Sequence, residues 1–220
     1  MRNAFVAVVM VSLIGCGKGK EAPPPTAGSS QPEPAKPAAD PVPPAPADAA
    51  PAPAAPTVDA KTALAAIKTT DDKCTGKECA RTGMGFMKTE VEKALGYFKK
   101  GCETGDGISC GMLGLAFKEG LGVAKNLAAT LALNTQSCDL GYFKGCYNLG
   151  LMLYNGEGVP ADEAKGLSVL EKACNGDAYR ACGSLADLYL TTDKAKARTL
   201  AKRGCDNNDP MSCEVLEKIK

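Results

Sequence analysis

The sequence predicts an all-α fold, a solenoid of αα-hairpin repeats in which a disulfide closes each turn between hairpins. Ten of the eleven cysteines fall into five close pairs, and in four pairs the two cysteines are eight positions apart. The first cysteines of three successive pairs, Cys102, Cys138 and Cys174, repeat every 36 residues. A fixed period with a cysteine pair in every unit indicates stacked supersecondary units joined by disulfides. The pairs are Cys74/Cys79, Cys102/Cys110, Cys138/Cys146, Cys174/Cys182 and Cys205/Cys213.

The chain opens with a segment typical of export. An apolar run from Ala4 to Ile14 follows the positive Arg2, and its length is about half of what spans a bilayer. Residues 1–15 are therefore predicted to be a signal peptide. The run ends in Leu13-Ile14-Gly15-Cys16, which resembles the lipobox of bacterial lipoproteins. That resemblance implies that Cys16 is diacylated and becomes the N-terminus; the alternative is an ordinary signal peptide with an incidental cysteine.

The lipobox places the protein in the cell envelope. Two or three acyl chains on Cys16 would anchor it firmly to a membrane, because each buried methylene contributes ~0.8 kcal/mol. Gly17 occupies the position at which Asp favours inner-membrane retention in some bacteria. We therefore expect a lipid-anchored protein of the outer membrane that faces the periplasm.

Residues 16–57 are predicted to be the lipidated cysteine and a disordered tether. Thirteen of the fifteen prolines lie in this segment, mixed with alanine, so it has too little apolar surface to fold. Extended polyproline II gives a reach on the order of 120 Å. A passive spacer is the simplest interpretation, and a proline-rich ligand segment is the alternative.

Residues 58–220 are predicted to form one folded domain, which is long enough for a sizeable core. Without the signal peptide and its Arg2, the chain has 25 basic and 25 acidic residues. This neutral balance, with no tryptophan, argues against nucleic acid as a partner. The chain has no histidine, which excludes the usual Ser-His-Asp and Cys-His catalysis and histidine-ligated zinc. We expect no cofactor and no metal, because paired cysteines in an exported protein are typically disulfides.

Within the domain, aligned cysteines define the helical hairpins. The intervals from Cys110 to Cys138 and from Cys146 to Cys174 span 28 positions, and the outer two intervals span 23. The longer units contain Gly-x-Gly-Val turns, 120–123 and 156–159. We therefore expect two hairpins with long turns and two with tight turns. The predicted helices are 59–73, 78–88, 90–103, 109–119, 126–139, 143–155, 162–175, 179–191, 193–206 and 210–218.

Small residues recur inside the first helix of each hairpin. Glycine there costs roughly 1 kcal/mol of helix propensity, so we expect a neighbouring helix to approach closely at these positions. Three positions later comes a larger side chain that is expected to fill the core. Gly120 and Gly156 are expected to end helices in the left-handed conformation. The small residues are Gly83, Gly114, Gly150 and Ala186, the larger ones Phe86, Phe117, Leu153 and Tyr189, and the expected N-caps Asn126, Asp162, Asp193 and Asp209.

The pattern Leu-Gly-x-x-aromatic-x-x-Gly-x-Gly-Val, followed by a capped second helix, resembles the Sel-one-like repeat (SLR), a relative of the tetratricopeptide repeat. The Cys-x7-Cys spacing is similar to that of the Helicobacter cysteine-rich proteins. The resemblance covers about 74–220 and is closest over 110–182. It implies a right-handed superhelix whose concave groove binds proteins or peptides and is lined by 109–119, 143–155 and 179–191. Candidate groove contacts are Tyr147, Asn148 and Tyr154; the alternative is that the tyrosines pack between repeats.

These observations favour a monomeric, non-enzymatic protein that binds an envelope protein or peptide as an adaptor, assembly factor or signalling scaffold. The alternative is a penicillin-interacting or weak β-lactamase-like hydrolase, as implied by some cysteine-rich relatives. Ser-x-x-Lys, Ser-Asp-Asn and Lys-Thr-Gly, which mark serine β-lactamases, are absent from the sequence. A third hypothesis is a purely structural cell-wall spacer.

Overall fold

The computed structural model of the chain describes residues 59–70 and 72–219. Within these ranges the protein consists of ten α-helices and contains no β-strand. The predicted signal peptide 1–15, the lipidation site Cys16 and the tether to residue 57 lie outside the described residues. The helices are α1 (Ala60–Ala65), α2 (Gly76–Phe86), α3 (Val91–Glu103), α4 (Gly107–Glu119), α5 (Leu127–Asp139), α6 (Phe143–Asn155), α7 (Glu163–Asn175), α8 (Tyr179–Tyr189), α9 (Lys194–Asp206) and α10 (Pro210–Lys218).

The helices form two layers. Consecutive helices pack as the hairpins α2/α3, α4/α5, α6/α7 and α8/α9, and α10 packs on α8 and α9. First helices also contact one another, α2 with α4, α4 with α6 and α8 with α10, whereas α6 with α8 and all consecutive second helices make at most peripheral contact within the described residues. Because the first helices lie closer together, they form the inner layer of a curved stack and the second helices form the outer layer.

The predicted caps and turns are confirmed. The side chains of Asn126, Asp162, Asp193 and Asp209 each accept a hydrogen bond from the backbone N–H three residues later, which satisfies one unpaired donor of the first turn. Asp106 does the same for α4. The long turns begin where Gly120 and Gly156 end α4 and α6 with φ of 77° and 69°.

Each small residue of the first helices faces one side chain of the second helix. A Cβ added at Gly83 would lie 2.7 Å from the Phe98 ring, and one added at Gly150 would lie 2.8 Å from Leu170. Gly114 faces Asn134 in the same way, with 2.8 Å to Oδ1. The prediction of close helix approach is therefore confirmed, because the missing side chain makes room for a large one on the neighbouring helix.

All five cysteine pairs are joined as disulfides, with Cα–Cα distances of 4.5 to 5.2 Å. In every pair the second cysteine is the fourth residue of a helix, so each bridge ties the first turn of that helix to the segment before it. The bridges are Cys74–Cys79, Cys102–Cys110, Cys138–Cys146, Cys174–Cys182 and Cys205–Cys213.

The last bridge differs from the other four in its surroundings. The eight cysteines of the first four bridges are buried, whereas Cys205 and Cys213 are both partly exposed. The common eight-residue spacing predicts equivalent bridges, and at Cys213 the structure departs from that equivalence. The physical reason is position, because Cys213 lies in α10, the final helix of the described chain, and no later repeat of that part packs over it.

In the four turns with the longer cysteine spacing, the residues that directly precede the two cysteines lie against each other. A Cβ on Gly101 would lie 2.8 Å from Ser109 Cβ, and one on Gly145 would lie 2.6 Å from Ser137 Cβ. Both residues of each pair are small, and the glycine, where there is one, precedes the first cysteine in some turns and the second cysteine in another. The combined side-chain volume of the pair is therefore small in every turn. The four pairs are Gly101/Ser109, Ser137/Gly145, Ala173/Ala181 and Gly204/Ser212.

The predicted first helix, 59–73, is wrong in length, because α1 ends at Ala65. After a turn at 66 and 67, the chain crosses α3 without regular secondary structure, and a Cβ on Gly96 would lie only 2.7 Å from the Lys68 carbonyl oxygen. Lys99 Nζ donates to the Ile67 carbonyl at 2.8 Å, so a side chain from α3 takes the place of a helical N–H. Thr69 and Thr70 in this stretch are poor helix formers. The segment ends at the Cys74–Cys79 disulfide.

The burial of the four larger side chains expected in the core depends on the length of the turn in their hairpin. Phe117 and Leu153, in the hairpins with long turns, are buried. Phe86 and Tyr189, in the hairpins with tight turns, are only partly buried. A lysine ammonium group covers each of their rings, Lys93 at 3.9 Å and Lys196 at 4.1 Å from the ring centroid. The tight turns thus leave these rings at the edge of the core, where a cation stacks on their outer face.

Candidate functional site

The candidate site is the exposed face of the first helices, which we call the inner face. On α4 the residues not buried by other helices recur at positions 108, 112, 115 and 119, which share one side of an α-helix. The 36-residue period predicts which positions lie on the same side of the later first helices. These are 144, 148, 151 and 155 on α6, and 180, 184, 187 and 191 at the α8 end of the stack. The cysteine alignment adds 77, 81, 84 and 88 at the α2 end. The inner face is Lys77, Arg81, Met84, Lys88, Ile108, Met112, Leu115, Glu119, Lys144, Asn148, Leu151, Asn155, Arg180, Asp187 and Thr191, and the equivalent Ser184 is buried beneath it.

An apolar strip runs across the middle of this face. Met84 and Leu115 stand at equivalent positions of α2 and α4, and they are 47% and 37% exposed, respectively. Leu151 is the equivalent residue of α6 and is partly exposed, as are Ile108 and Met112 of α4. Scattered exposed apolar residues are ordinary in proteins, whereas an aligned set in successive repeats marks an interaction surface.

The charges on the inner face are unequal. Five side chains are basic and two are acidic, although the chain as a whole has a net charge of only +1. The acidic pair is Glu119 and Asp187. The basic five are Lys77, Arg81, Lys88, Lys144 and Arg180.

The three groove residues named from the sequence have different positions. Asn148 lies on the inner face and is partly exposed. The Tyr147 hydroxyl lies 3.4 Å from Ser184 Oγ, so this ring joins α6 to α8. Tyr154 packs beside Gly166 of α7, and burial, with the negative charge of Glu163, raises its pKa. Both tyrosines are partly buried and pack between helices, as the alternative interpretation expected.

A different concave region lies on the outer layer. An open cavity of about 560 Å³ is bounded by the segment 66–70, by α3 at Leu95 and Gly96, and by the long turn at Gly122 and Val123. Its charged side chains are those of Lys68, Glu92 and Lys93. Thr69 and Thr70 also line it, and no histidine, serine or cysteine does.

The described part of the chain contains neither a membrane span nor a metal-binding cluster. None of its helices has both the length and the apolar character needed to cross a bilayer. No group of three or more histidine, cysteine, aspartate or glutamate residues in that part is placed to hold a metal ion.

Comparison with known proteins assigns the repeats. The Sel1 repeat family model matches residues 76–106, 108–142 and 143–178. Two solved structures share the fold: a protective antigen present in uropathogenic Escherichia coli strains that displays an SLR fold, with TM-score 0.59 and 19% identity, and a Sel1 repeat protein from Oxalobacter formigenes, with TM-score 0.61 and 21% identity. Each match covers 65% of this chain, and the chain spans 33% and 61% of those two proteins.

Cysteine-rich protein B of Helicobacter pylori also matches, with 28% identity over 48% of this chain and 85% of that protein and a TM-score of 0.42. None of the curated proteins matches the chain. The described domain is an all-α solenoid, and its residues 76–106, 108–142 and 143–178 match Sel1 repeats. Sel1 repeats are in general non-catalytic scaffolds for protein interaction.

The apolar strip was missed in the sequence because Met84, Leu115 and Leu151 look like core residues. Each follows a small helical residue by one position. In a helix a step of one residue turns the side chain by about 100°, so these positions point away from the packed side. Aligning the repeats and marking which apolar positions follow the small residue could have identified them.

Proposed function

We propose that the inner face binds a polypeptide partner and that the protein is an adaptor of the cell envelope. The single observation that carries the proposal is the apolar strip, which repeats at equivalent positions on three neighbouring first helices and remains exposed at Met84 and Leu115. The domain gains no burial free energy from a strip that stays exposed, whereas a partner that covers the strip would remove its apolar area from water.

We further propose that Cys16 is lipidated and holds this domain at a membrane, on the outer membrane facing the periplasm. The sequence Leu13-Ile14-Gly15-Cys16 supports this proposal. A tether that restricts the domain to a thin layer above the bilayer raises its effective concentration toward membrane-bound partners. A weak binding face would then be sufficient for an adaptor.

Crosslinking in the cells that produce the protein tests the binding face. A photoreactive amino acid is placed in the full chain at Leu115 or at Leu151, and in a control chain at Lys172, which lies on α7 in the outer layer. We expect the same polypeptide to be crosslinked from both inner-face positions and not from position 172. Equal crosslinking from all three positions, or none from the inner face, would contradict the proposal.

The anchor is tested separately with the Cys16→Ser variant. We expect this variant to leave the membrane fraction and to lose labelling by an acyl-chain precursor. Membrane retention with continued labelling would show that Cys16 is not the anchor. This result would leave the inner-face crosslinks as an independent measure of partner binding.

A further inference from the structure

We propose that the inner face selects an acidic polypeptide segment, with apolar side chains at its centre and carboxylates toward both ends. This inference rests on the proposed function, because it names the chemistry of the partner that the same face would bind. It follows from how charge and apolar area are distributed along the stack of first helices.

The order of residue types along the stack is basic, apolar, basic. At the α2 end the inner face has Lys77, Arg81 and Lys88. On α4 it has Ile108, Met112 and Leu115, followed by Leu151 of α6. Basic side chains return on α6 and α8 with Lys144 and Arg180 and outnumber the acidic residues of the face, which are Glu119 at the end of α4 and Asp187 on α8. A complementary ligand therefore has acidic ends and an apolar centre.

The basic side chains of the inner face are not used inside the domain. Within the described residues, none of the five forms an ion pair or a side-chain hydrogen bond, whereas the nearby Lys118, which is outside the inner face, pairs with Glu157 at 2.9 Å. Lys77, Lys144 and Arg180 are also the second residues of α2, α6 and α8, where the partial positive charge of a helix N-terminus makes a cation unfavourable. Unpaired cations at unfavourable positions are explained if a partner supplies the anions.

The size of the face matches a short segment of polypeptide. Packed helices lie about 10 Å apart, so the four first helices from α2 to α8 cover on the order of 30 Å. An extended chain covers that distance in about nine residues, at roughly 3.3 Å per residue. The segment would place apolar side chains over α4 and carboxylates near Arg81 at one end and near Lys144 and Arg180 at the other.

A polypeptide fits this face better than a lipid surface with the same negative charge. The first helices form the inner, closer-packed layer of the stack, so the strip lies in a concave surface that a flat bilayer cannot cover. Met112 and Leu151 are partly buried between helices, and a side chain can enter there. Apolar anchors in such recesses supply affinity, while the surrounding charges select the partner and increase the association rate.

The test uses three displayed libraries of 12-residue peptides, selected on the full oxidised chain. All three have four central positions drawn from Leu, Ile, Val, Phe and Met. The flanking positions are drawn from Asp, Glu, Ser and Gly in the first library, from Lys, Arg, Ser and Gly in the second, and from Asn, Gln, Ser and Gly in the third. We expect binders from the acidic library alone, with affinity that falls as salt concentration rises.

Two variants and matched controls connect these binders to the inner face. Arg81→Glu is expected to weaken the selected peptides about tenfold or more, because it replaces an attraction by a repulsion. Leu115→Ser is expected to weaken them through loss of apolar contact. Lys202→Glu on α9 in the outer layer and Leu121→Ser in the α4–α5 turn, both at exposed positions, should bind as the unaltered chain does. Circular dichroism melts establish that each variant is folded.

Each other outcome overturns the inference, and the outcomes separate it from the proposed function. If binders that depend on Leu115 come from the basic or uncharged library, the face binds polypeptides but the acidic preference is wrong. Binding of acidic peptides that is unchanged by Arg81→Glu also refutes the charge selection. If no library yields a binder, or if the chain instead binds vesicles of anionic phospholipid through Arg81 and Leu115, the inference is wrong. Failure of the crosslinks from Leu115 and Leu151 would then refute the proposed function as well.

Discussion

The pairs of small residues beside the disulfides lead to a sharp prediction about Gly101. This residue lies in the last turn of α3, and a methyl group added to it would overlap Ser109 Oγ and lie 2.8 Å from Ser109 Cβ and 3.2 Å from Cys79 Cβ. The hydroxyl cannot turn away freely, because Ser109 Oγ donates to Asp106 Oδ2 at 2.6 Å in a fully buried site. We therefore expect Gly101→Ala to destabilise the domain although alanine favours helices.

The expected magnitude is the difference between two effects. Relieving the overlap requires either breaking the hydrogen bond to the carboxylate, which costs about 1.5–3 kcal/mol, or moving the helices apart, which costs about 1–3 kcal/mol. Replacing glycine by alanine in a helix returns about 1 kcal/mol. The free energy of unfolding should therefore fall by up to about 2 kcal/mol, and by at least about 0.5 kcal/mol if the hydrogen bond breaks, after the gain in helix propensity is subtracted.

The assay is urea unfolding of the oxidised protein, with Gly85→Ala as the matched control. Gly85 is in α2, it is exposed, and no atom lies within 4 Å of a Cβ built on it. The control substitution should raise the free energy of unfolding by about 0.5–1 kcal/mol, so the two Gly→Ala changes should have opposite signs. Equal effects at the two sites would refute the steric argument.

A second substitution tests whether the two sides of the turn are coupled. Combining Ser109→Ala with Gly101→Ala gives this turn the Ala/Ala pair that positions 173 and 181 already have, both fully buried. In the Ser109→Ala background, Gly101→Ala should cost at least about 1 kcal/mol less than in the original chain, as expected for residues in direct contact. Strict additivity of the two changes would contradict the pairing.

Three further predictions concern the core, the disulfides and the caps. Asn134→Leu should raise the urea midpoint, with a gain of about 1 kcal/mol, because Asn134 Oδ1 is buried without a hydrogen-bond partner in the described structure and such a group is costly; unchanged or lower stability would contradict this. Replacing both Cys174 and Cys182 by alanine should lower the free energy of unfolding by about 2.5 kcal/mol, as expected for a nine-residue loop, and thermal unfolding measures this loss. The same change at the partly exposed Cys205 and Cys213 should cost no more, because less packing is lost there. No change in melting temperature, or a larger loss at Cys205 and Cys213, would refute this prediction. Asp106→Ala should cost about 1–2 kcal/mol by removing the buried cap of α4, and a loss no larger than that from removing the exposed Asp59 cap of α1 would contradict the role of burial.

Some parts of this fold can be predicted from the sequence because they depend on neighbours along the chain. An N-cap at Asp162 requires only the residues that follow it, and a left-handed helix end at Gly156 requires only the lack of a side chain. The 36-residue period of the cysteines likewise predicts where each hairpin begins and ends. These features are therefore predicted correctly without knowledge of the packed structure.

Other parts depend on which residues meet across helices, and a single sequence does not state this. The path of 66–70 over Gly96 involves a lysine of α3 that reaches the Ile67 carbonyl, so the predicted helix 59–73 is too long. Tyr147 and Tyr154 are predicted as exposed groove positions of a first helix, yet both are partly buried and contact Ser184 of α8 and Gly166 of α7, respectively. The exposure of Cys213 likewise depends on what packs beyond α10 and not on its spacing from Cys205. The residues that form the inner face are mostly apolar or basic and look ordinary one repeat at a time.

The constraints within the repeats also indicate where specificity is located. At the disulfide turns both paired residues are small, and at the helix crossings the glycine of the first helix faces a larger side chain of the second helix. Both sites are constrained because they set the distance between neighbouring helices. The inner face has no such constraint, and its residues change type from repeat to repeat. The second position of the first helices is Lys77, Ile108, Lys144 and Arg180, and the next turn of the first three has Arg81, Met112 and Asn148. A surface that the fold leaves free to vary, and that still gathers apolar and basic side chains on a neutral chain, is the part of this domain best suited to select a partner.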